Sequence, residues 1–199
     1  MAILSQKARQ GMATKEAILD ASMDLFAKNG FQSTSIDDLA REAGLTKGAI
    51  YWHFSDKEEL FHSILGRISE RWSGFVLSSV SPSDPPRAQV ESVFDGYSRL
   101  LGKYPDTCLF MQRVLLEGDR RFTLEIGRLY SQAAKYVARI IDRGKSEGSF
   151  RPGVNSMVMG NLIIGTLRGA VQQRLVDNSL SVESLLEEAK ASVIGRISV

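Results

Sequence analysis

The sequence predicts an all-α protein, and three observations lead to that fold class. Nearly every segment repeats apolar residues at the three- and four-residue spacing of a helix face. Most segments are separated by glycine or proline, which are typical of helix ends. No alternation of apolar and polar residues runs longer than four residues, as a half-buried strand would require. We therefore expect about nine helices in total and no sheet.

The first three helices are predicted to be the core of a small N-terminal domain, residues 1–56. Their expected ranges are about 14–29, 36–43 and 47–54. Gly30 and Gly44 follow the first two helices, where a residue free to adopt a positive φ is favoured. Ser35 and Thr46 are the expected N-caps of the second and third helices.

Residues 57–199 are predicted to form a larger helical bundle. A capping box of Ser55 and Glu58 is expected to open a fourth helix that continues toward Val76. A run with three prolines, residues 81–86, then interrupts the chain. Five further helices are expected at about 87–103, 107–117, 123–145, 155–176 and 182–197.

Composition narrows the class of protein. The chain has 199 residues, of which 43% are hydrophobic and 24% charged, as in an ordinary globular protein. No apolar run approaches the roughly 20 residues of a membrane-spanning helix, and the N-terminus lacks a signal peptide. We therefore expect a cytoplasmic protein without a membrane partner.

One cysteine, Cys108, and two histidines make a poor metal set, so no metal or cofactor is expected. Cys108 is interpreted as a small buried residue, with a redox-sensing thiol as the alternative.

Net charge does not by itself indicate a nucleic-acid partner. The whole chain carries +2, and residues 1–70 hold eight Lys/Arg against ten Asp/Glu, a net charge of −2. Lys7, Arg9 and Lys15 form a basic arm, which is either a solvated tail or a contact with a DNA backbone or minor groove. Binding to DNA must therefore depend on where individual cations lie.

The second and third helices have the pattern of a helix-turn-helix. Their inward positions are apolar, as a rigid pair requires: Leu39, Ala40, Ala43, Leu45, Ile50 and Phe54. The third helix instead exposes polar and aromatic residues near its start and along its outer face: Thr46, Lys47, Gly48, Tyr51, Trp52 and His53. Packing alone accommodates at most two of three consecutive rings on so short a helix. The third helix is therefore predicted to lie in a DNA major groove.

A longer ordered pattern surrounds this motif. It consists of residues 18–21, 26–31, 34–36, 39–40, 43–54 and 57–60. In this register the segment from Ala17 to Leu65, about a quarter of the chain, closely resembles the N-terminal domain of the TetR family of bacterial regulators. The resemblance implies double-stranded DNA as a partner, with a palindromic operator bound by a homodimer.

The resemblance also implies roles for individual residues. Phosphate contacts are expected from Thr34, Ser35 and Lys57. Base edges are expected to face Thr46, Lys47, Gly48 and Ala49. Tyr51, Trp52 and His53 are expected to reach phosphates or bases. Helix N-termini and lysines favour phosphate, and the Ala49 methyl can meet a thymine methyl.

By the same resemblance, the C-terminal half is expected to hold a small-molecule pocket. Candidate lining residues are apolar or aromatic side chains of the middle helices: Phe94, Tyr97, Leu101, Phe110, Met111, Val114, Tyr130, Val137, Met159, Leu162, Ile163 and Thr166. Any residue of this kind is more often part of a core than of a cavity lining. A mostly apolar wall favours a lipophilic effector.

The last two helices are predicted to form a dimer interface. One carries a stripe of small residues, Asn161, Gly165 and Gly169. The other carries an apolar stripe, Ala189, Val193 and Ile197. The alternative is that both stripes pack on the chain's own bundle.

The leading hypothesis is a ligand-responsive repressor that is released from its operator by a small lipophilic molecule. An alternative is a DNA-bound protein that recruits a protein partner and has no ligand, which a bundle without a cavity would favour. An all-helical enzyme is disfavoured because the sequence shows no nucleophile, paired carboxylates or metal cluster.

Overall fold

The structure, a computed structural model, describes residues 6–177 and 179–199. Residues 1–5 of the predicted N-terminal domain therefore lie outside the described residues. Within these residues the regular elements are helices, and an isolated β-bridge joins Phe150 and Ser198. The predicted all-α fold is therefore confirmed. The helices are α1 (Gln6–Asn29), α2 (Ile36–Glu42), α3 (Lys47–His53), α4 (Lys57–Phe75), α5 (Pro86–Lys103), α6 (Pro105–Glu117), α7 (Arg120–Ser146), α8 (Ser156–Val176) and α9 (Val182–Ile197). None of the helices in 6–177 and 179–199 has the length and apolar character needed to cross a membrane.

The caps of α2 and α3 are those the sequence predicts. Ser35 and Asp38 form a reciprocal capping box at α2, and the Thr46 side chain accepts a hydrogen bond from the Ala49 N–H at α3. Between the two helices Gly44 has φ +65°, which the tight turn requires and other residues rarely adopt.

The starts of α1 and α4 differ from the prediction. α1 begins at Gln6, eight residues early, so Lys7 and Arg9 lie on a helix and do not form an extended arm. The N-cap of α4 is Asp56 and not Ser55, because the Asp56 carboxylate accepts the Glu59 N–H at 2.7 Å. The Glu59 carboxylate accepts the N–H of Ser55, the residue before the cap, at 2.7 Å, so the predicted reciprocal box of Ser55 and Glu58 does not form.

The first core lies beneath the helix-turn-helix and reaches into the bundle. Ile18, Phe26, Leu39, Ile50 and Phe61 represent α1 to α4 in it. The same core includes α6 and α7 through Phe110, Met111, Val114, Phe122 and Ile126. The N-terminal helices are thus held to the bundle by shared apolar burial. The predicted division after residue 56 stays a prediction.

The second core lies among α5, α7, α8 and α9. It buries Phe94, Val137, Ile163 and Ile197 completely or nearly so. α7 and α8 approach most closely at Gly160, where a Cβ atom would lie 2.4 Å from the Ala134 carbonyl oxygen.

Gly160→Ala is therefore expected to lower the free energy of unfolding by about 1–3 kcal/mol, because the added methyl forces two backbones apart. Gly127→Ala on α7 is the matched control, since a Cβ atom there meets nothing within 4 Å. The control is expected to gain up to about 1 kcal/mol from helix propensity. Urea unfolding of both variants checks the pair, and equal stability would contradict the close approach.

Candidate nucleic-acid interface and cavity

The outer face of α3 is a projecting surface on a buried support. Tyr51 and Trp52 are 52% and 75% exposed, whereas Ile50 and Phe54 are buried beneath them. The rings of Trp52 and His53 meet edge to face with centroids 4.6 Å apart. Of the other predicted contact residues, Thr46, Lys47 and Gly48 are exposed and Ala49 is half-buried. The α3 candidates are thus all exposed or half-buried on one short helix, whose buried side is Ile50.

Lys47 lies at the start of α3 and pairs with α2. Its Nζ is 2.7 Å from an Asp37 carboxylate oxygen, and both side chains are largely exposed. The hydrogen bond that Lys47 donates to the Asp37 carboxylate raises the pKa of Lys47, which keeps the ammonium charged. The pair is exposed, so water and salt weaken it and a phosphate can compete for the lysine.

The three predicted phosphate contacts outside α3 differ in accessibility. The Thr34 hydroxyl is buried and donates to the Gly30 carbonyl at 2.7 Å, which leaves Ser35 as the accessible residue of that pair. Lys57 Nζ donates to the carbonyls of Phe31 (2.8 Å) and Thr34 (2.9 Å) and lies 4.4 Å from the centre of the Phe31 ring. Burial lowers the pKa of Lys57. Lys57 therefore fixes the loop before α2, and its phosphate contact stays a prediction.

α1 contributes cations beside α3. Lys7 and Lys15 line a shallow depression whose other wall is Trp52 and His53. Burial lowers the pKa of His53, and the positive charge of nearby Lys15 lowers it further. The sequence identified these lysines only as an arm, because their position beside α3 depends on the early start of α1.

A cavity of about 420 Å³ lies in the C-terminal half. Its wall is formed by the end of α4 together with α5, α6, α7 and α8. The exposed lining residues, Ser69, Ser73, Gln132 and Arg139, are all on α4 and α7, so the cavity opens between these helices. Its inner wall is apolar and includes Leu100, Met111 and Leu167.

The sequence located this cavity only partly. Of the twelve candidate lining residues, Tyr97, Met111 and Tyr130 line it. Most of the others are buried or partly buried in the two cores or half-buried on α8: Phe94, Leu101, Phe110, Val114, Val137, Met159, Ile163 and Thr166. Leu162 points outward and is 55% exposed. The sequence prediction missed Arg168. An arginine that directly follows buried Leu167, and lies one turn after buried Ile164, is unusual and was the available signal.

Cys108 is part of the cavity wall. Its Sγ lies 3.5 Å from the Tyr97 hydroxyl, and burial raises the pKa of the thiol to about 11. A thiol that stays protonated is a weak nucleophile. This environment favours the interpretation of Cys108 as a wall residue over a redox sensor.

Two arginines of α4 connect α1 to the cavity wall. Arg67 is buried and pairs with Glu16 and Asp20 of α1. Arg71, one turn later, donates to Thr107 Oγ1 at 2.7 Å and to Asp106 at 3.1 Å, both on α6. Because Thr107 lines the cavity, the wall and α1 share a charged connection through α4.

The two predicted interface stripes differ in how exposed they are. On α8, Asn161 and Gly165 are exposed and Gly169 is half-buried, and a Cβ atom on either glycine would meet nothing within 4 Å. Exposed Val158 and Leu162 continue that face. On α9, however, Ile197 is fully buried in the chain's own core, and Ala189 and Val193 pack against that core. Ile197 is therefore covered by the chain's own core, whereas a part for half-buried Ala189 and Val193 in a dimer interface stays a prediction.

Comparison with known proteins identifies the family. Residues 18–64 match the family model for bacterial regulatory proteins of the tetR family. Residues 18–64 belong to the TetR family. The chain is 45% identical over 62 residues to the HTH-type transcriptional regulator AcrR of Shigella flexneri, which is 31% of this chain and 29% of AcrR. The chain thus spans less than a third of that relative's length.

Two further similarities, one in sequence and one in structure, extend over most of the chain. The HTH-type transcriptional repressor KstR2 of Rhodococcus jostii is 24% identical over 179 residues, covering 89% of this chain and 87% of KstR2. The structure of the fatty acid degradation regulator FadR from Bacillus halodurans superposes with a TM-score of 0.81 at 18% identity, covering 92% of this chain and 95% of that one. At that identity the superposition shows the shared fold alone.

Proposed function

We propose that the chain is a ligand-responsive transcriptional repressor of the bacterial cytoplasm. In this proposal a homodimer binds a palindromic operator, and a small lipophilic molecule releases it. Residues 1–56 bind DNA, and residues 57–199 bind the ligand and form the dimer. The observation that carries the proposal is the exposed α3 face, with Tyr51 and Trp52 projecting from a buried support.

The DNA-binding part is supported by the chemistry of that face. Thr46, Lys47 and Gly48 stand at the start of α3, where backbone N–H groups and a lysine favour a DNA edge or phosphate. Lys7 and Lys15 of α1 lie beside it and are suited to neighbouring phosphates. KstR2 and AcrR, which are named as a transcriptional repressor and regulator, support the same role.

The dimer is supported by the uncovered face of α8. Val158 and Leu162 are each 55% exposed, and Gly165 lies between them and the helix end without a neighbour. Two α8 helices from two copies can approach closely along such a face and bury it. A two-fold dimer presents two copies of α3 about 34–36 Å apart, the spacing of successive major grooves.

The response to ligand is supported by the connections of α4. Its first residue, Lys57, holds the loop before α2, and its last turns, with Trp72 and Ser73, line the cavity. Arg67 and Arg71 connect its middle to α1 and α6. A ligand that fits the cavity better in one position of α4 shifts the population toward that position and changes the placement of α3.

The partner-recruiting alternative is less well supported. It would be favoured by a closed bundle, whereas this bundle contains a cavity of about 420 Å³, within the range of small-molecule sites. FadR is named as a regulator of fatty acid degradation, which also favours a lipophilic effector.

Selection from a pool of random DNA duplexes tests the proposal. We expect enrichment of a palindrome whose half-sites are about one helical turn apart, and a dimer bound to each selected duplex. Binding should weaken steeply with salt, because Lys side chains displace counterions from phosphate. An enriched sequence without two-fold symmetry, or no enrichment above a pool carried through without protein, would contradict it.

A further inference from the structure

The charges in the cavity wall are all positive. Two ionised side chains, Arg139 and Arg168, line it, and no carboxylate does. Within residues 6–177 and 179–199, neither guanidinium has an Asp or Glu oxygen within 4 Å. Arg139 is exposed near the opening between α4 and α7, and Arg168 is half-buried on α8.

The Arg168 guanidinium packs on an aromatic ring and not on a carboxylate. Its guanidinium carbon lies 4.0 Å from the centre of the Tyr130 ring, and its backbone carbonyl accepts a hydrogen bond from Gln112 Nε2 at 3.3 Å. Burial raises the pKa of Tyr130 to about 12, although Arg168 works against this, so the Tyr130 hydroxyl stays protonated. The cavity therefore contains a positioned cation next to a neutral hydroxyl.

The other sheltered arginines whose side chains the structure describes are paired with carboxylates. Arg67 and Arg71 have side chains only 9% and 12% exposed, and both contact carboxylates of neighbouring helices. A partly desolvated cation without an anion is unfavourable unless something supplies the anion. Arg168 differs from these two in facing a space large enough for a ligand to do so.

We infer that the cavity binds an amphipathic molecule whose anionic group, a carboxylate or a phosphate, pairs with Arg168. The apolar body lies against the inner wall of Leu100, Met111 and Leu167, and Arg139 attracts the anion at the opening. The inference deepens the proposed function, because this anion is the effector on which release of DNA depends. A neutral lipophile would leave Arg168 unpaired, and a cationic one would be repelled.

Binding of four probes with the same alkyl chain tests this inference. Dodecanoate, dodecyl phosphate, dodecanol and dodecyltrimethylammonium are titrated into the full chain by calorimetry, the three ionic probes below their critical micelle concentrations and dodecanol below its solubility limit. At least one anion is expected to bind about tenfold or more tighter than the alcohol, as a charge-assisted hydrogen bond allows, with the ammonium weakest. The stronger of the two anions identifies carboxylate or phosphate as the group bound.

Substitution assigns the preference to Arg168. Arg168→Met keeps an apolar stem and is expected to bring the anion to the affinity of the alcohol, whereas Arg168→Lys should retain part of the preference. Arg128→Met, on the exposed side of α7, is the matched control and should change nothing. Equal binding of anion and alcohol to the unaltered chain, no binding of any probe, or an unchanged preference in Arg168→Met would overturn the inference.

The DNA measurement is kept separate, so that the two proposals fail independently. If an anion binds through Arg168 but leaves a selected duplex bound, the effector role in the proposed function is wrong and the cavity assignment stands. If dodecanol binds as tightly as the anions and releases the duplex, the anion preference is wrong and the repressor stands.

Discussion

Tyr51→Ala and Lys47→Ala are each expected to abolish specific operator binding while leaving the dimer intact. A contact with a base or phosphate contributes about 1–3 kcal/mol, and a dimer loses two copies of it. The expected loss is therefore roughly thirty- to twenty-thousandfold in affinity. Fluorescence anisotropy with a labelled duplex from the random pool measures this loss, and light scattering checks the dimer.

The two variants are expected to differ in how they respond to salt. Loss of Lys47 should reduce the slope of log affinity against log salt by about 1 for each phosphate contact removed. Loss of Tyr51 should change affinity with little change in slope, and Tyr51→Phe separates its ring from its hydroxyl. Lys135→Ala, an exposed lysine on α7, is the control. Retained affinity in both α3 variants would exclude α3 as the recognition helix.

Leu162→Arg is expected to convert the dimer to a monomer. The side chain is 55% exposed on the α8 face proposed to be buried between two copies, where two unpaired cations would be strongly unfavourable. A monomer contacts one half-site, so affinity for the palindrome should fall to that for a single half-site. Light scattering for mass, and anisotropy with full and half operators, measure the two effects.

Leu116→Arg is the matched control for that prediction. Leu116 is 76% exposed at the end of α6, outside the α8 face proposed to be the interface, and the same change there should leave a dimer. Because both positions are exposed, neither substitution should lower stability by much. A dimer that persists in Leu162→Arg would place the interface on another face.

The sequence predicted the local structure of the DNA-facing part well because the signals there are short-range. Ser35 and Thr46 cap helices through residues three positions away, and Gly44 makes the turn by its own backbone freedom. The sequence also predicted that α3 exposes aromatic side chains, because a seven-residue helix can pack at most two of three consecutive rings inward. The buried Thr34 hydroxyl was missed because its partner, the Gly30 carbonyl, depends on the shape of the loop.

The cavity was predicted poorly because a core and a cavity wall have the same composition. Helical periodicity shows that Val137 and Tyr130 are on apolar faces, but only the packed bundle shows that Val137 is fully buried and Tyr130 lines space. The α9 stripe shows the same limit, since Ile197 packs inward. Which apolar face stays uncovered depends on helix packing between residues far apart in sequence.

The position of Phe110 and Phe122 in the first core has a consequence for hybrid regulators. These rings belong to α6 and α7, yet they pack against Phe61 and Phe31 near the helix-turn-helix. A chimaera joined at residue 56 would set a foreign DNA-reading module on aromatic residues selected for a different surface. Exchange of operator specificity should therefore succeed when the donor's equivalents of Phe110 and Phe122 are transferred with its first three helices.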